Sequence, residues 1–373
     1  MSKRARNLVD RVKYALASSD ALQITNTLLN IAERKLQRTG MLSIPLIIQV
    51  EVTNKCNLNC IICSRHHQPL KLGDISAELI PGIVDFSRRA RELILFGYGE
   101  PLLSKSFFRL IENGRSSRCS FTTNGVLLTS EMIEKIMKDS KRPLNSITFS
   151  VDAVEPETYL AIREKSDYDL VWKNIQALDN YRKSGREQTP ETWMNFVAIK
   201  RNIEELPRLV KKASEYGVSQ INVFHMVVWD EECLADSLID SPELTEKMFN
   251  EARRIAEENG VRIDLPAVIF DRELAGRSNE SSSEMPMCYQ PWSSTYIRHD
   301  GTVQACCFSE KLVMGNIHDR TLKEIWNDAP YRKLRASVNS NPHPDCRKCE
   351  LRFRYISGSH DRRTYIKMKH REQ

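Results

Sequence analysis

Three cysteines fall within eight residues in the stretch Glu51-Val52-Thr53-Asn54-Lys55-Cys56-Asn57-Leu58-Asn59-Cys60-Ile61-Ile62-Cys63. Three thiolates on one short loop can hold three irons of a cubane cluster and leave the fourth without a protein ligand, open to a substrate or cofactor. The competing chemistry is a zinc site, with His66 or His67 as fourth ligand. A second set of thiols, Cys288, Cys306, Cys346 and Cys349, lies near the other end of the chain. Four thiols close the coordination of a second cubane or of a structural zinc. Cys307 is adjacent to Cys306 and is the alternative ligand.

These side chains need a rigid frame. Apolar β-like runs recur at Leu46–Thr53, Leu93–Gly97, Ser120–Thr123, Ser146–Val151, Asn195–Lys200 and Gln220–His225. Helical stretches separate them at Ala77–Arg89, Phe107–Asn113, Ser130–Asp139, Tyr168–Lys183 and Ile203–Tyr216, with a further one at Glu243–Asn259. Strands that alternate with helices predict a parallel sheet with right-handed crossovers. The three-thiol loop then follows the first strand, on the face where an α/β barrel keeps its chemistry. Upstream, Leu8, Val9, Val12, Leu16, Leu22, Leu28, Leu29 and Ile31 recur at helical spacing and predict one or two amphipathic helices. The organisation expected is a helical segment 1–45, a barrel 46–265, a linker 266–285, a cysteine-bearing unit 286–351 and a basic tail 352–373. The polar run from Gly276 to Met285 marks the linker. In the unit beyond it, Asp300-Gly301 predicts a hairpin turn that presents Cys306 at the end of a short strand.

The C-x3-C-x2-C loop after the first strand resembles that of the radical S-adenosylmethionine (SAM) superfamily. Gly97-Tyr98-Gly99-Glu100-Pro101, Thr123-Asn124-Gly125 and Ser150-Val151-Asp152 end the next three strands, where that family carries its binding motifs. Pro156-Glu157-Thr158-Tyr159 and Ile162-Arg163 follow. The resemblance covers most of residues 46–226 and implies an α/β fold, a partial (β/α)6 TIM-like barrel. It implies that Cys56, Cys60 and Cys63 ligate a [4Fe-4S] cluster whose open iron chelates the amine and carboxylate of SAM. In that frame Glu100, with the Gly99 backbone, accepts from the amine; Arg163 or Ser150 binds the carboxylate; Asp152 or Ser150 meets the ribose hydroxyls. Ile62 departs from the pattern, since many members carry an aromatic residue there. The C-terminal words resemble the SPASM extension, and more closely its shortened twitch form. They imply a small C-terminal Fe–S domain with one auxiliary [4Fe-4S] cluster on Cys288, Cys306, Cys346 and Cys349, because no cysteine follows Cys349.

The resemblance implies reductive cleavage of SAM, fed by an electron donor such as flavodoxin or ferredoxin, and abstraction of a substrate hydrogen. A fully ligated second cluster serves best as an electron acceptor, which points to an oxidation. Dehydrogenation of a sugar-like or cyclitol alcohol is the first expectation. Crosslinking or epimerisation of a ribosomal peptide is its competitor, so the substrate is a small molecule or a peptide. A non-enzymatic, metal-stabilised interaction protein is the reading from another class. An epimerase needs a hydrogen donor, and Cys233, after the sixth strand, is the candidate; Cys119 reads as core. His225, Met226 and Lys200 lie near late strand ends, with His225 read as a hydrogen-bonded core residue. No general base can be named.

Composition narrows the class. Of 373 residues, 41% are hydrophobic and 28% charged, the balance of a globular chain rather than a disordered one. The basic residues Met1–Arg6 lead into no continuous apolar run, so cytoplasmic localisation is expected, where clustered thiols serve as ligands rather than disulfides. Residues 1–45 hold eight Lys/Arg against three Asp/Glu, and residues 352–373 hold seven against two. Such ends suit peripheral contact with an anionic surface. No nucleic-acid-binding motif is present, and no nucleic-acid partner is expected.

Overall fold

The computed structural model describes residues 21–67, 70–114, 118–141, 143–186, 189–268, 286–347 and 349–353. Ten strands form one sheet: β1 (Ile47–Val50), β2 (Glu92–Leu95), β3 (Arg118–Thr123), β4 (Leu144–Ser150), β5 (Glu191–Ala198), β6 (Gln220–His225), β7 (Arg262–Asp264), β8 (Ser294–Ile297), β9 (Thr302–Gln304) and β10 (Val313–Asn316). Their order is β10-β9-β8-β1-β2-β3-β4-β5-β6-β7. From β1 to β7 every neighbour is parallel, as strands joined by helical crossovers must be. The fold is the expected α/β partial barrel, with additions at both edges.

Alternation and capping explain the elements. In β5, Thr192, Met194, Phe196 and Ala198 are buried and the residues between them are not, the period of two that puts one strand face in the core. The helix Lys105–Asn113 buries Phe107, Leu110 and Ile111 and is capped by the Ser104 hydroxyl. Ser130–Asp139 is capped by Thr129 and Tyr168–Lys183 by Asp167, each side chain accepting an otherwise unpaired N–H. The stretch read as Ala77–Arg89 is a 3-10 turn, Ala77–Leu79, running into the helix Ile80–Ser87. At one edge β7 adds a three-residue strand whose charged ends give no apolar signal.

The C-terminal unit joins the other edge. β8 pairs parallel with β1, residue Ile47 opposite Ser294 and Val50 opposite Ile297. β9 and β10 then extend the sheet antiparallel. The Asp300-Gly301 hairpin is present, with Gly301 at φ +79°, where a glycine carries no steric cost. A buried carboxylate clamps the junction. Glu51, just past β1, accepts from the Tyr98 N–H (2.9 Å), the Tyr296 hydroxyl (3.2 Å) and His299 Nδ1 (2.7 Å). Burial alone would lower the His299 imidazole, but the bond and charge of Glu51 carry it above its ordinary value.

The N-terminal helix departs from expectation. Ala21–Lys35 is helical, yet its buried face is Gln23, Asn26, Thr27, Asn30 and Glu33 rather than the leucines. The cause is what it packs against, a row of main-chain groups beside the strand starts. Asn26 Nδ2 donates to the Ile44 and Arg89 carbonyls, and Asn30 Nδ2 to the Trp292 carbonyl (2.6 Å). Glu33 accepts from the Leu42 and Ser43 N–H groups. The part of the amphipathic pattern at Leu8–Leu16, the 276–285 run and the tail beyond residue 353 lie outside the described residues.

Replacing Glu51 with Ala strands His299, Tyr296 and the Tyr98 N–H without their shared partner. The expected cost is about 3–5 kcal/mol of unfolding free energy, as for breaking a buried ion pair, measured by denaturant titration; a loss within the scatter of surface substitutions would show that Glu51 does not clamp the two halves.

Candidate active site

The carboxyl ends of the parallel strands converge on the loop that carries Cys56, Cys60 and Cys63. All three thiols are free and partly accessible. The loop is fastened on every side by main chain. Asn54 N–H donates to the Gly73 carbonyl, and Glu100 N–H to the Lys55 carbonyl (2.9 Å). Asn59 N–H and Ile61 N–H donate to the Glu164 and Ile162 carbonyls, each at 3.0 Å. Arg65 donates to the Leu58 carbonyl. The glycines of Gly97-Tyr98-Gly99 are there for close approach: a Cβ on Gly99 would stand 2.5 Å from the Thr53 and Lys55 carbonyl oxygens, and one on Gly97 would strike the Glu51 side chain.

Glu100 is buried and already engaged. Its carboxylate accepts from Thr123 Oγ1 (2.8 Å), the Asn124 N–H (2.7 Å) and the Leu102 N–H (3.3 Å), tying the second strand end to the third. One lone-pair site of about four remains for an incoming amine. Burial pushes its carboxyl up to about 7, against the pull of the Asn124, Thr123 and Leu102 donors. Asn124, which sequence reading grouped in a motif without a role, donates to Asn57 Oδ1 (2.8 Å) and lies 3.7 Å from Cys56 Sγ.

Asp152 and Arg163 form a buried pair. Arg163 Nη2 is 2.6 Å from Asp152 Oδ2, while Asp152 Oδ1 accepts the Val197 N–H (2.7 Å). Asp152 is fully buried and its carboxylate is engaged by Arg163 and the Val197 N–H. Arg163 Nη1 in turn lies 3.9 Å from Cys60 Sγ. Burial works against the guanidinium charge, but Asp152 and Cys60 hold it protonated. Burial raises the Cys60 thiol to about 11, Arg163 opposing and Cys63 adding. Ser150 is half-buried at the end of β4.

At the C-terminal unit, burial lifts the Cys306 thiol well above its ordinary range, with Cys307, Cys349 and Cys288 adding to the rise. Cys346 is pushed up to about 11 by burial, then by Cys288 and Cys349. The thiols at 288, 306, 346 and 349 therefore crowd one another. Burial and mutual repulsion disfavour the thiolates here, a penalty that the positive charge of a bound metal cluster offsets. Two residues given no role by sequence reading shape this cradle. Asn339 receives the Cys288 N–H (2.8 Å) and returns a bond to the Cys288 carbonyl, and Arg352 anchors Asn339 and the Pro286 carbonyl.

Elsewhere, His67 Nδ1 faces Asp230 (3.1 Å) and Nε2 faces Cys233 Sγ (3.8 Å), so both ring nitrogens already have neighbours. Cys233 is buried among Ile61, Ile62, Ile162, Ile199 and Met226. His225 Nε2 bonds the Ala267 carbonyl (2.9 Å), Cys119 is core, and exposed Lys200 bonds the Ala235 carbonyl.

Residues 50–213 match the family model of the Radical SAM superfamily, and residues 288–350 match that of the SPASM iron-sulfur cluster-binding domain. The chain belongs to the radical SAM superfamily and carries a C-terminal SPASM domain. These domains imply [4Fe-4S] clusters and SAM as cofactors, and the two thiol sets fit them. The chain is 25% identical to the tungsten-containing aldehyde ferredoxin oxidoreductase cofactor-modifying protein of Pyrococcus furiosus, over 82% of this chain and 87% of the relative. It is also 25% identical to the PqqA peptide cyclase of Gluconobacter oxydans, over 84% and 85%. Among solved structures, Streptococcus suis SuiB bound to its precursor peptide SuiA superposes with a TM-score of 0.57 at 17% identity, covering 85% of this chain and 71% of that one.

Two outcomes are expected. Gly99→Ala forces the Thr53–Lys55 main chain aside, so reconstituted protein should keep the iron of the C-terminal set and lose that of the first; unchanged iron would show that the close approach is dispensable. A carboxyl raised from 4.5 to about 7 on folding binds its proton more tightly in the native state. Its contribution is therefore fully present below 4.5 and lost as pH rises through about 7. In cluster-free protein, Glu100→Gln should flatten the fall in stability across that window, read by urea titration at successive pH values.

Proposed function

We propose that this chain is a radical SAM enzyme that modifies a peptide, joining or oxidising side chains with the loss of two hydrogens. The observation that carries this reading is the pairing of an open three-thiol loop with a separate four-thiol cradle on one continuous sheet. Similarity to a peptide cyclase along nearly the whole chain favours a peptide over the sugar-like or cyclitol alcohol first expected. In this reading Cys56, Cys60 and Cys63 hold the SAM-binding cluster, and Cys288, Cys306, Cys346 and Cys349 hold the auxiliary one. When bound, these groups supply a 5′-deoxyadenosyl radical that takes one hydrogen atom from the substrate and an acceptor for the electron that leaves with the second hydrogen's proton.

The protein's own part is positioning. Arg163, fixed by Asp152 beside Cys60, presents a charged fork to the carboxylate of SAM. Ser150 meets the ribose, since Asp152 is spent on Arg163. Glu100 offers its remaining lone pair to the amine while keeping the second and third strand ends together. Ile61, Ile62, Ile199 and Met226 make an apolar wall that excludes water from the reacting atoms. Cys233 within that wall is the hydrogen donor should the modification be an epimerisation.

The test is anaerobic reconstitution with iron and sulfide, followed by reductant, SAM and short peptides encoded beside the gene. The expected products are 5′-deoxyadenosine and a peptide lighter by two hydrogens. Cys346→Ala should retain SAM cleavage and lose the peptide product. A peptide of unchanged mass but inverted at one centre, with the inversion lost in Cys233→Ala, would assign epimerisation. Oxidation of an alcohol with every peptide left untouched would overturn the choice of substrate.

A further inference from the structure

The helix Ala21–Lys35 is inside out. Its buried side chains are polar and bonded inward, while Leu22 and Leu28 keep 49% and 55% of their surface exposed. Leu36 and Leu42, just beyond, are each 73% exposed. Ile24, Leu29 and Ile31 are only partly covered, and Leu22 and Leu42 border one groove. Isolated exposed leucines are ordinary, but a run of them on one helix marks a surface that is covered in use. The polar face cannot be turned outward in exchange, because Asn26, Asn30 and Glu33 are committed to the main chain around Ser43, Ile44, Arg89 and Trp292.

Charge decides the occupant. Residues 21–45 contain Arg34, Lys35 and Arg38 and one acid, Glu33, which is buried. The preceding twenty residues add Lys3, Arg4, Arg6, Arg11 and Lys13 against Asp10 and Asp20. An apolar helix face flanked by cations is the composition of a segment that lies in the interface of an anionic bilayer. No helix among the described residues is long and apolar enough to cross a membrane. We propose that this helix docks the protein on an anionic lipid surface. The helix sits at the amino ends of β1, β2 and β8, so docking turns the cysteine loop away from the lipid. The proposal is independent of the chemistry at that loop.

The test is co-sedimentation of the reconstituted full chain with vesicles of equimolar phosphatidylglycerol and phosphatidylcholine, and with phosphatidylcholine alone. Binding to the anionic vesicles, weakened by salt, is expected. The combined variant Leu22→Ser, Leu28→Ser, Leu36→Ser and Leu42→Ser should partition about tenfold or more less well and cleave SAM as before. Lys3→Glu, Arg4→Glu and Arg6→Glu together should abolish the preference for anionic lipid. Wild-type protein that ignores both vesicles, or binds them equally, overturns the proposal, as does a leucine variant that binds like wild type. A wild-type dimer that the leucine variant turns into monomer would do the same, assigning the face to a second copy.

Discussion

Main chain lying against main chain holds the site together. The turn after β2 runs so close to the loop after β1 that a single methyl group on Gly99 would overlap two carbonyl oxygens. The loop is pinned on its other flank by the Ile162 and Glu164 carbonyls. The loop that carries the three thiols is thus pinned by main-chain bonds at both sides. Of the two histidines that could serve as a fourth ligand, His67 lies between Asp230 and Cys233. A loop that offers three thiols to a cubane leaves one iron without a protein ligand, and that iron is where a cofactor can bind.

The same economy links the two thiol sets. β8 continues the sheet at β1, the strand that leads into the first cysteine loop. Glu51 then bonds residues from β2's turn, from β8 and from the hairpin beyond it. The C-terminal unit is an edge extension of the barrel sheet, so the strands that precede and follow its Cys306 turn are tied to the barrel by ladder hydrogen bonds.

Much of this was legible in the sequence. Gln220–His225, Ser130–Asp139 and Tyr168–Lys183 coincide with observed elements because strand alternation, helical period and capping residues agree there. The Asp300-Gly301 turn was legible for the same reason. β7 was not, since a three-residue edge strand with charged ends carries no periodic signal. The buried face of Ala21–Lys35 was misjudged because polar residues there satisfy distant main-chain groups, which no local pattern encodes. At the site, residue types revealed the thiols and Arg163. They did not reveal that Asp152 serves Arg163, that Glu100 serves the third strand, or that Asn339 and Arg352 frame the second cradle; those are facts of three-dimensional neighbourhood.

The central claim is that the cluster held by Cys56, Cys60 and Cys63 keeps one iron without a protein ligand, free for SAM. It is tested most directly by electron paramagnetic and electron–nuclear double resonance on reduced Cys346→Ala protein, which isolates the first cluster, with SAM labelled with nitrogen-15 at its amine. The account predicts a cluster signal that changes on adding SAM and shows hyperfine coupling to the labelled nitrogen. Zinc in place of iron at these thiols, or a cluster signal indifferent to SAM, would contradict it.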